Sequence, residues 1–117
     1  MKPNGNDSRL NLFLSSTGLR EATVPEVVFR VRWPDDSVNR CYSPSTVVED
    51  YFRTGGSYPL TEFVALSRKA LTEASERVRE RYGYGCAQAA AQLADIELKA
   101  TEFADQQARI VVEGFER

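Results

Sequence analysis

The residues that could do chemistry are few, and the first of them is missing. The chain contains no histidine, which removes the commonest general base and the commonest metal ligand. Ser–His and Cys–His activation of a nucleophile is therefore impossible within it. Two cysteines, Cys41 and Cys86, stand far apart without CxxC spacing. They read as reduced thiols rather than a disulfide framework. Cys41 falls mid-strand. Cys86 falls at a helix start, where a thiol pKa can be depressed, but its register on an apolar stripe favours a small buried core residue. Neither a metal nor a cofactor is expected.

The glycines do not mark a phosphate site. Gly55-Gly56 and Gly83-Tyr84-Gly85 lack the Lys-Ser/Thr of a P-loop and the spacing of a dinucleotide fingerprint, and read as turn or cap glycines. Amides near Ser45 and Thr46 could hold an anion, but Glu49 and Asp50 already answer that helix dipole locally.

Arginines and hydroxyls remain. Arg30, Arg32 and Arg109 are expected on the sheet face opposite the helices, as a basic strip with Glu26 and Glu113 at its margins. A solvated outer face that guards against edge aggregation is the plainer reading; docking of an acidic partner or ligand is the functional one. Val28 and Val111 on the same face suggest a covered surface, such as a homodimer contact across the sheet. Arg32, Tyr42, Ser43, Ser45 and Arg68 form a second set, the alternative being a small-molecule site or weak enzyme built from them, which requires that they converge in a concave pocket. Arg30, Arg32, Tyr42, Ser43, Ser45 and Arg68 are thus the candidate binding residues. Glu73 with Arg77, and Glu76 with Arg79, are ordinary helix-surface pairs.

The elements that must position these groups follow from periodicity. Val27, Phe29, Val31 and Trp33 alternate with Val28, Arg30 and Arg32, which is a half-buried strand. Pro34-Asp35-Asp36-Ser37 reads as a turn, and Val38 to Tyr42 returns as the second strand. A short helix ends near Phe52 and starts at either Ser43, with Pro44 in its first turn, or Thr46, with Glu49 completing a capping box. Thr54-Gly55-Gly56-Ser57 reads as a loop. From Pro59 to Tyr82 the spacing is helical, on Phe63, Leu66, Ala70, Ala74, Val78 and Tyr82, with glycine after it as a stop. A third helix is expected from about Cys86 to Phe103, and a last strand from Arg109 to Phe115.

The fold class is therefore α+β in the order β-β-α-α-α-β. A three-stranded, mainly antiparallel sheet would carry two long helices on one face, with the first strand central. Residues 1–22, rich in Asn, Ser and Gly, read as a flexible tail on which Leu10–Leu14 could dock. Residues 23–117 read as one domain, the size expected of 117 residues. The tail shows neither a secretory h-region nor a membrane span, so a cytoplasmic location without membrane contact is the default. With 15 basic residues against 17 acidic, generic nucleic-acid binding is disfavoured, since it depends on neutralising phosphates.

Several separated motifs occur in order: Val31-Arg32-Trp33-Pro34-Asp35, Cys41-Tyr42-Ser43-Pro44-Ser45-Thr46-Val47-Val48 and Gly56-Ser57-Tyr58-Pro59. Ala74-Ser75-Glu76-Arg77-Val78, Tyr82-Gly83 and Val112-Glu113-Gly114-Phe115 follow. Together they resemble a family of small bacterial nitrogen-starvation-response proteins of the mycobacterial and cyanobacterial type, over Val27 to Phe115. The chain departs from that pattern at Asp36, where a glycine usually follows Pro-Asp, and in the extra residues before Val24. The resemblance implies a gene cluster with a nitrilase, a radical-SAM protein, an acetyltransferase-like protein and a flavoprotein. It transfers no catalytic residue. The expectation is a non-enzymatic accessory or binding protein whose partners are enzymes of that nitrilase-associated cluster.

Overall fold

The computed structural model describes residues 26–117. The tail expected over residues 1–22, with its Leu10–Leu14 cluster, lies outside the described residues. Seven elements follow one another: β1 Val27–Arg32, β2 Val38–Ser43, α1 Val48–Tyr51, β3 Gly56–Pro59, α2 Leu60–Tyr82, α3 Ala87–Ala100 and β4 Arg109–Glu116. The sheet runs β2-β1-β4-β3 and every pairing is antiparallel. The expected class is present and β1 lies inside the sheet, next to the last strand. The expected three strands are corrected to four, in the order β-β-α-β-α-α-β.

The added strand, β3, covers a stretch expected to be a loop at Gly56-Ser57. Its four residues carry no apolar alternation, so no period marked it. Main-chain pairing with β4 defines it, from Gly56 opposite Val112 to Pro59 opposite Arg109. Proline cannot donate to a ladder and is confined to edges and strand ends, which is where Pro59 sits. Gly56 is required by close approach. A Cβ there would lie 2.6 Å from Tyr58 Oη and 3.0 Å from the Arg53 carbonyl, because the Tyr58 hydroxyl accepts the Arg53 N–H at 2.9 Å.

The hairpin between β1 and β2 closes with Asp36 N–H donating to the Trp33 carbonyl at 2.9 Å and Trp33 N–H donating to Ser37 O at 2.8 Å. Asp36 has φ 69, the only positive value among non-glycine residues described. A turn followed by one left-handed residue is a common three-residue hairpin loop, and glycine is the easy occupant of that last position. Asp36 therefore occupies the position of this turn where glycine would be unstrained.

The expected short helix shrinks to a single turn, and neither proposed start holds. Ser43 ends β2, Val47 is the cap residue, and no side chain caps the helix. The hydroxyls are used one step earlier. Ser43 Oγ donates to the Ser45 carbonyl at 2.7 Å, and Ser45 Oγ accepts the Val47 N–H at 3.2 Å. Such local side-chain bonds compete with helix formation. Phe52 then leaves the helix in extended conformation and enters the core against Phe29, Tyr58 and Phe63, with ring centroids 5.3–5.9 Å away.

The alternation read in β1 is the core. Val27, Phe29, Val31 and Trp33 are buried with Ile110 and Val112 of β4, under Leu60, Phe63, Ala70 and Leu71 of α2 and Ile96 of α3. Each valine, leucine, isoleucine or phenylalanine among them contributes about 1.5–3 kcal/mol of hydrophobic burial. The stripe on α2 outruns that core. Ala74 is buried, but Val78 is only half-buried and Tyr82 is 47% exposed. Gly83 ends the helix at φ 84, with its N–H on the Arg79 carbonyl at 2.7 Å. The chain then doubles back until Cys86 N–H meets Ser75 Oγ at 3.0 Å. Residues 79–82 are left exposed beyond the helical contact.

Candidate functional site

Arg30 and Arg32 project from β1 on the face that the helices leave open. β4 runs beside them with a register shift: Arg30 lies opposite Gly114, but Val31 lies opposite Val112. Glu113 is thus an extra, bulged residue, and a bulge re-aims the side chain it carries. Its carboxylate falls between the two arginines, 2.6 Å from Arg32 Nε and 3.7 Å from Arg30 Nε. Glu116 continues the row, 3.4 Å from Arg30 Nη1 and 2.7 Å from Arg40 Nη2. The order of charges across three strands is Arg40, Glu116, Arg30, Glu113, Arg32. Arg40 and Arg30 hold the Glu116 carboxyl below the usual carboxylate range, Arg40 first, and Glu116 in turn raises Arg40.

The expected basic strip is therefore corrected to a ladder of both signs. Glu113 is at its centre, not its margin. Arg109 stands apart on β4, where Nε donates to Ser57 Oγ and Nη2 to the Ser57 carbonyl, both at 2.9 Å. Val28 and Val111 are half-buried on this face, as placed from sequence. Glu116 was missed because strict alternation cannot see a bulge; Arg40 lies opposite Arg30 in an unbroken register, where alternation along β2 already puts it on the same face. The shift also returns Phe115 to the inner side, packed on the core and opposite Phe29. Gly114 between a charged and an aromatic residue was the available signal.

The second set of candidates does not converge. Ser43 and Ser45 are buried at 0% and 4% exposure, their hydroxyls committed to the turn before α1. Tyr42 donates its phenol proton to Glu26 at 3.0 Å; burial first, and then Glu26, pushes that phenol well above its usual range. Arg68 sits on the helical layer, where Nη2 donates to Glu97 of α3 at 2.6 Å. It borders an open groove of about 410 Å³ floored by Val64, Ala100 and Phe103. Arg30 and Arg32 are on the opposite side of the sheet from it.

The thiols differ from each other. Cys41 is 1% exposed, and burial, with Asp95 adding to it, pushes its pKa up to about 12, which leaves almost no thiolate at neutral pH. Cys86, expected to be a buried core residue, is instead the half-exposed cap residue of α3. It opens the helix rather than joining its buried stripe. No group of three or more His, Cys, Asp or Glu able to hold a metal ion occurs among the described residues.

A second hollow lies where no candidate was placed. Between β2 and α3, a slot of about 230 Å³ is lined by Trp33, Asn39, Arg40, Cys41, Gln92, Asp95 and Ile96. Trp33 Nε1 donates to Asn39 Oδ1 at 2.7 Å, and Tyr42 N–H donates to Gln92 Oε1 at 2.9 Å. Gln92 and Asp95 carry no motif; only the packing of α3 along β2 brings them there.

Both long helices and all of the sheet but its end residues Val27 and Glu116 fall inside residues 28–115, which match the model of a family described as the nitrogen starvation-induced protein NitG. The chain belongs to that family. The NitG family match begins in β1 and ends in β4, so it takes in the bulge, the ladder residues Arg30, Arg32, Arg40 and Glu113, and the slot. No curated protein and no solved structure matches the chain. No helix among the described residues is long and apolar enough to cross a membrane.

Proposed function

We propose that this chain is a non-enzymatic accessory protein of the nitrogen-starvation response, acting by binding enzymes of the nitrilase-associated pathway that the family resemblance implies. The observation that carries this reading is the ladder on the open sheet face. Its carboxylates and guanidiniums satisfy one another instead of converging on a hollow, so none is poised as a general acid or base. A face of alternating sign, with Val28 beside Glu116 and Val111 beside Arg32, suits a protein surface of complementary pattern better than a simple anion. Charges arranged in this way set partner choice and association rate more than raw affinity. The lack of imidazole and the poor nucleophilicity of Cys41 favour holding over transformation.

Co-purification of the tagged chain with each enzyme of the cluster tests the reading. The expected result is a complex at micromolar concentration that charge reversal at Glu113 (Glu113→Arg) weakens at least tenfold. No complex with any of them, together with full pathway activity in cells lacking the chain, overturns it. A second copy across the same face is the competing occupant. Sedimentation equilibrium separates the two, since a dimer that Glu113→Arg disrupts would assign the face to self-association.

A further inference from the structure

The edge of β2 beside the slot leaves main-chain groups unused. Tyr42 N–H points away from β1 and donates to the side-chain carbonyl of Gln92 on α3 at 2.9 Å. Along an antiparallel edge strand, inward and outward main-chain positions alternate. Arg40, two residues back, therefore presents its N–H and C=O on the same outward side. Among the described residues neither group has a partner beyond the strand ladder. The Arg40 guanidinium is held by Glu116 on the open face, so what Arg40 offers the slot is main chain.

Around that main-chain pair the slot is built from three kinds of surface. Trp33, Cys41 and Ile96, all 2% exposed or less, make an apolar floor. Asn39 and Gln92 line the walls with carboxamides whose oxygens are fixed by the Trp33 indole and the Tyr42 N–H. Asp95 adds a carboxylate with no hydrogen bond or ion pair among the described residues, near enough to Cys41 to raise its thiol. The space is short. Gln92 closes it at Tyr42, and Lys99 reaches Asp35 at 3.6 Å near the far end of β2, so an added β-strand does not fit.

We infer that the slot binds a primary carboxamide, either the side chain of an Asn or Gln on a partner or a small free amide. The Gln92–Tyr42 contact is the precedent, because it shows this edge already engaging a carboxamide one position along. A second amide would accept from Arg40 N–H through its carbonyl and donate to Arg40 C=O and to the Asp95 carboxylate through its NH₂. Its alkyl part would lie on Trp33 and Ile96. A carboxylate in the same place meets Asp95 as a like charge, and an alkylammonium leaves the Arg40 N–H unanswered. A donor left unanswered, or a carboxylate facing a like charge, is the source of that discrimination. The inference does not depend on the accessory-protein reading; the slot and the open sheet face are on different sides of β2.

Titrating the full chain with propionamide, followed by amide and indole NMR resonances, tests it. Saturable shifts are expected at Arg40 N–H, the Gln92 NH₂ and the Trp33 indole, with a Kd in the millimolar range, as suits about five heavy atoms. Asp95→Ala, at an exposed position, should weaken binding at least fivefold while leaving the remaining spectrum in place. Propionate and propylammonium should move these resonances far less. A parallel titration with the peptide Gly-Asn-Gly separates the sources: tighter binding than propionamide assigns a partner side chain, weaker binding a free amide. No saturation by 100 mM propionamide, equal response to propionate or propylammonium, or unchanged binding by Asp95→Ala would overturn the assignment.

Discussion

Along β1, Phe29 and Val31 are completely buried, while Arg30 and Arg32 between and beside them keep 41% of their side chains exposed. The inner row is held by aromatic and aliphatic contact: Phe52 stacks on Phe29, Trp33 meets Phe63 edge-on and Phe52 tilts against Phe63, with ring centroids 5.3–5.9 Å apart. The outer row is held by alternating charges from three strands. Hydrophobic burial scales with area and is non-directional. An ion pair in contact with solvent is worth little unless its geometry is good. The inner face therefore accounts for stability, and the outer face is free to serve recognition.

Four measurements can break or sharpen that division, and a fifth tests the turn that joins its strands. The largest effect is expected at Phe63, fully buried between Trp33 and Phe52. Phe63→Ala should cost about 3–5 kcal/mol in denaturant unfolding; a loss under 1 kcal/mol would mean that the inner face is not the core. Thiol labelling reads the same boundary. In the native protein Cys86 should react with iodoacetamide while Cys41 reacts only after unfolding, and equal rates would contradict the burial of β2's inner face.

Smaller effects belong to the turn and the ladder. Asp36→Gly should stabilise the chain by about 0.5–1 kcal/mol, because a left-handed residue with a Cβ is strained; its Tm should rise, and a fall would mean that the aspartate is held there by some compensating contact. A double-mutant cycle on Arg32→Ala and Glu113→Ala should give a coupling of about 0.5–1 kcal/mol. A value as large as the Phe63 effect would erase the distinction between the faces.

The smallest effect is in the pH dependence. Glu116 has its folded pKa lowered, Arg40 being the first cause. Its contribution is fully present above the unfolded value of about 4.3 and is lost as pH falls through the folded value. Between pH 5 and 3 the Tm of Glu116→Gln should therefore fall less than that of the parent, and parallel curves would deny Glu116 a part in the ladder.

Much of the inner face was legible in the sequence, because period two in β1 and periods of three and four in α2 and α3 report burial directly. β3 was not legible. Its pairing is made by main chain, which every sequence possesses alike. The ladder was half legible: alternation placed Arg30, Arg32 and Val111 on one face, but a bulge adds one residue without leaving a period, so Glu113 was put at the rim and Glu116 was not considered. The candidate set that joined Ser43, Ser45 and Arg68 to Arg32 is not brought together in the fold, because residue type reports chemistry and not direction.

Residue order alone determined the family, the α+β class, the inner row from Val27 to Trp33 and the impossibility of imidazole chemistry. Each of these is a property of composition or of local spacing. Tertiary structure alone decided that Glu113 enters between two arginines and that Gln92 and Asp95 meet the β2 edge. Such contacts join residues about fifty or more positions apart, or turn on one shift of register. Their partners are chosen by how the helices and the last strand pack, which no local pattern encodes.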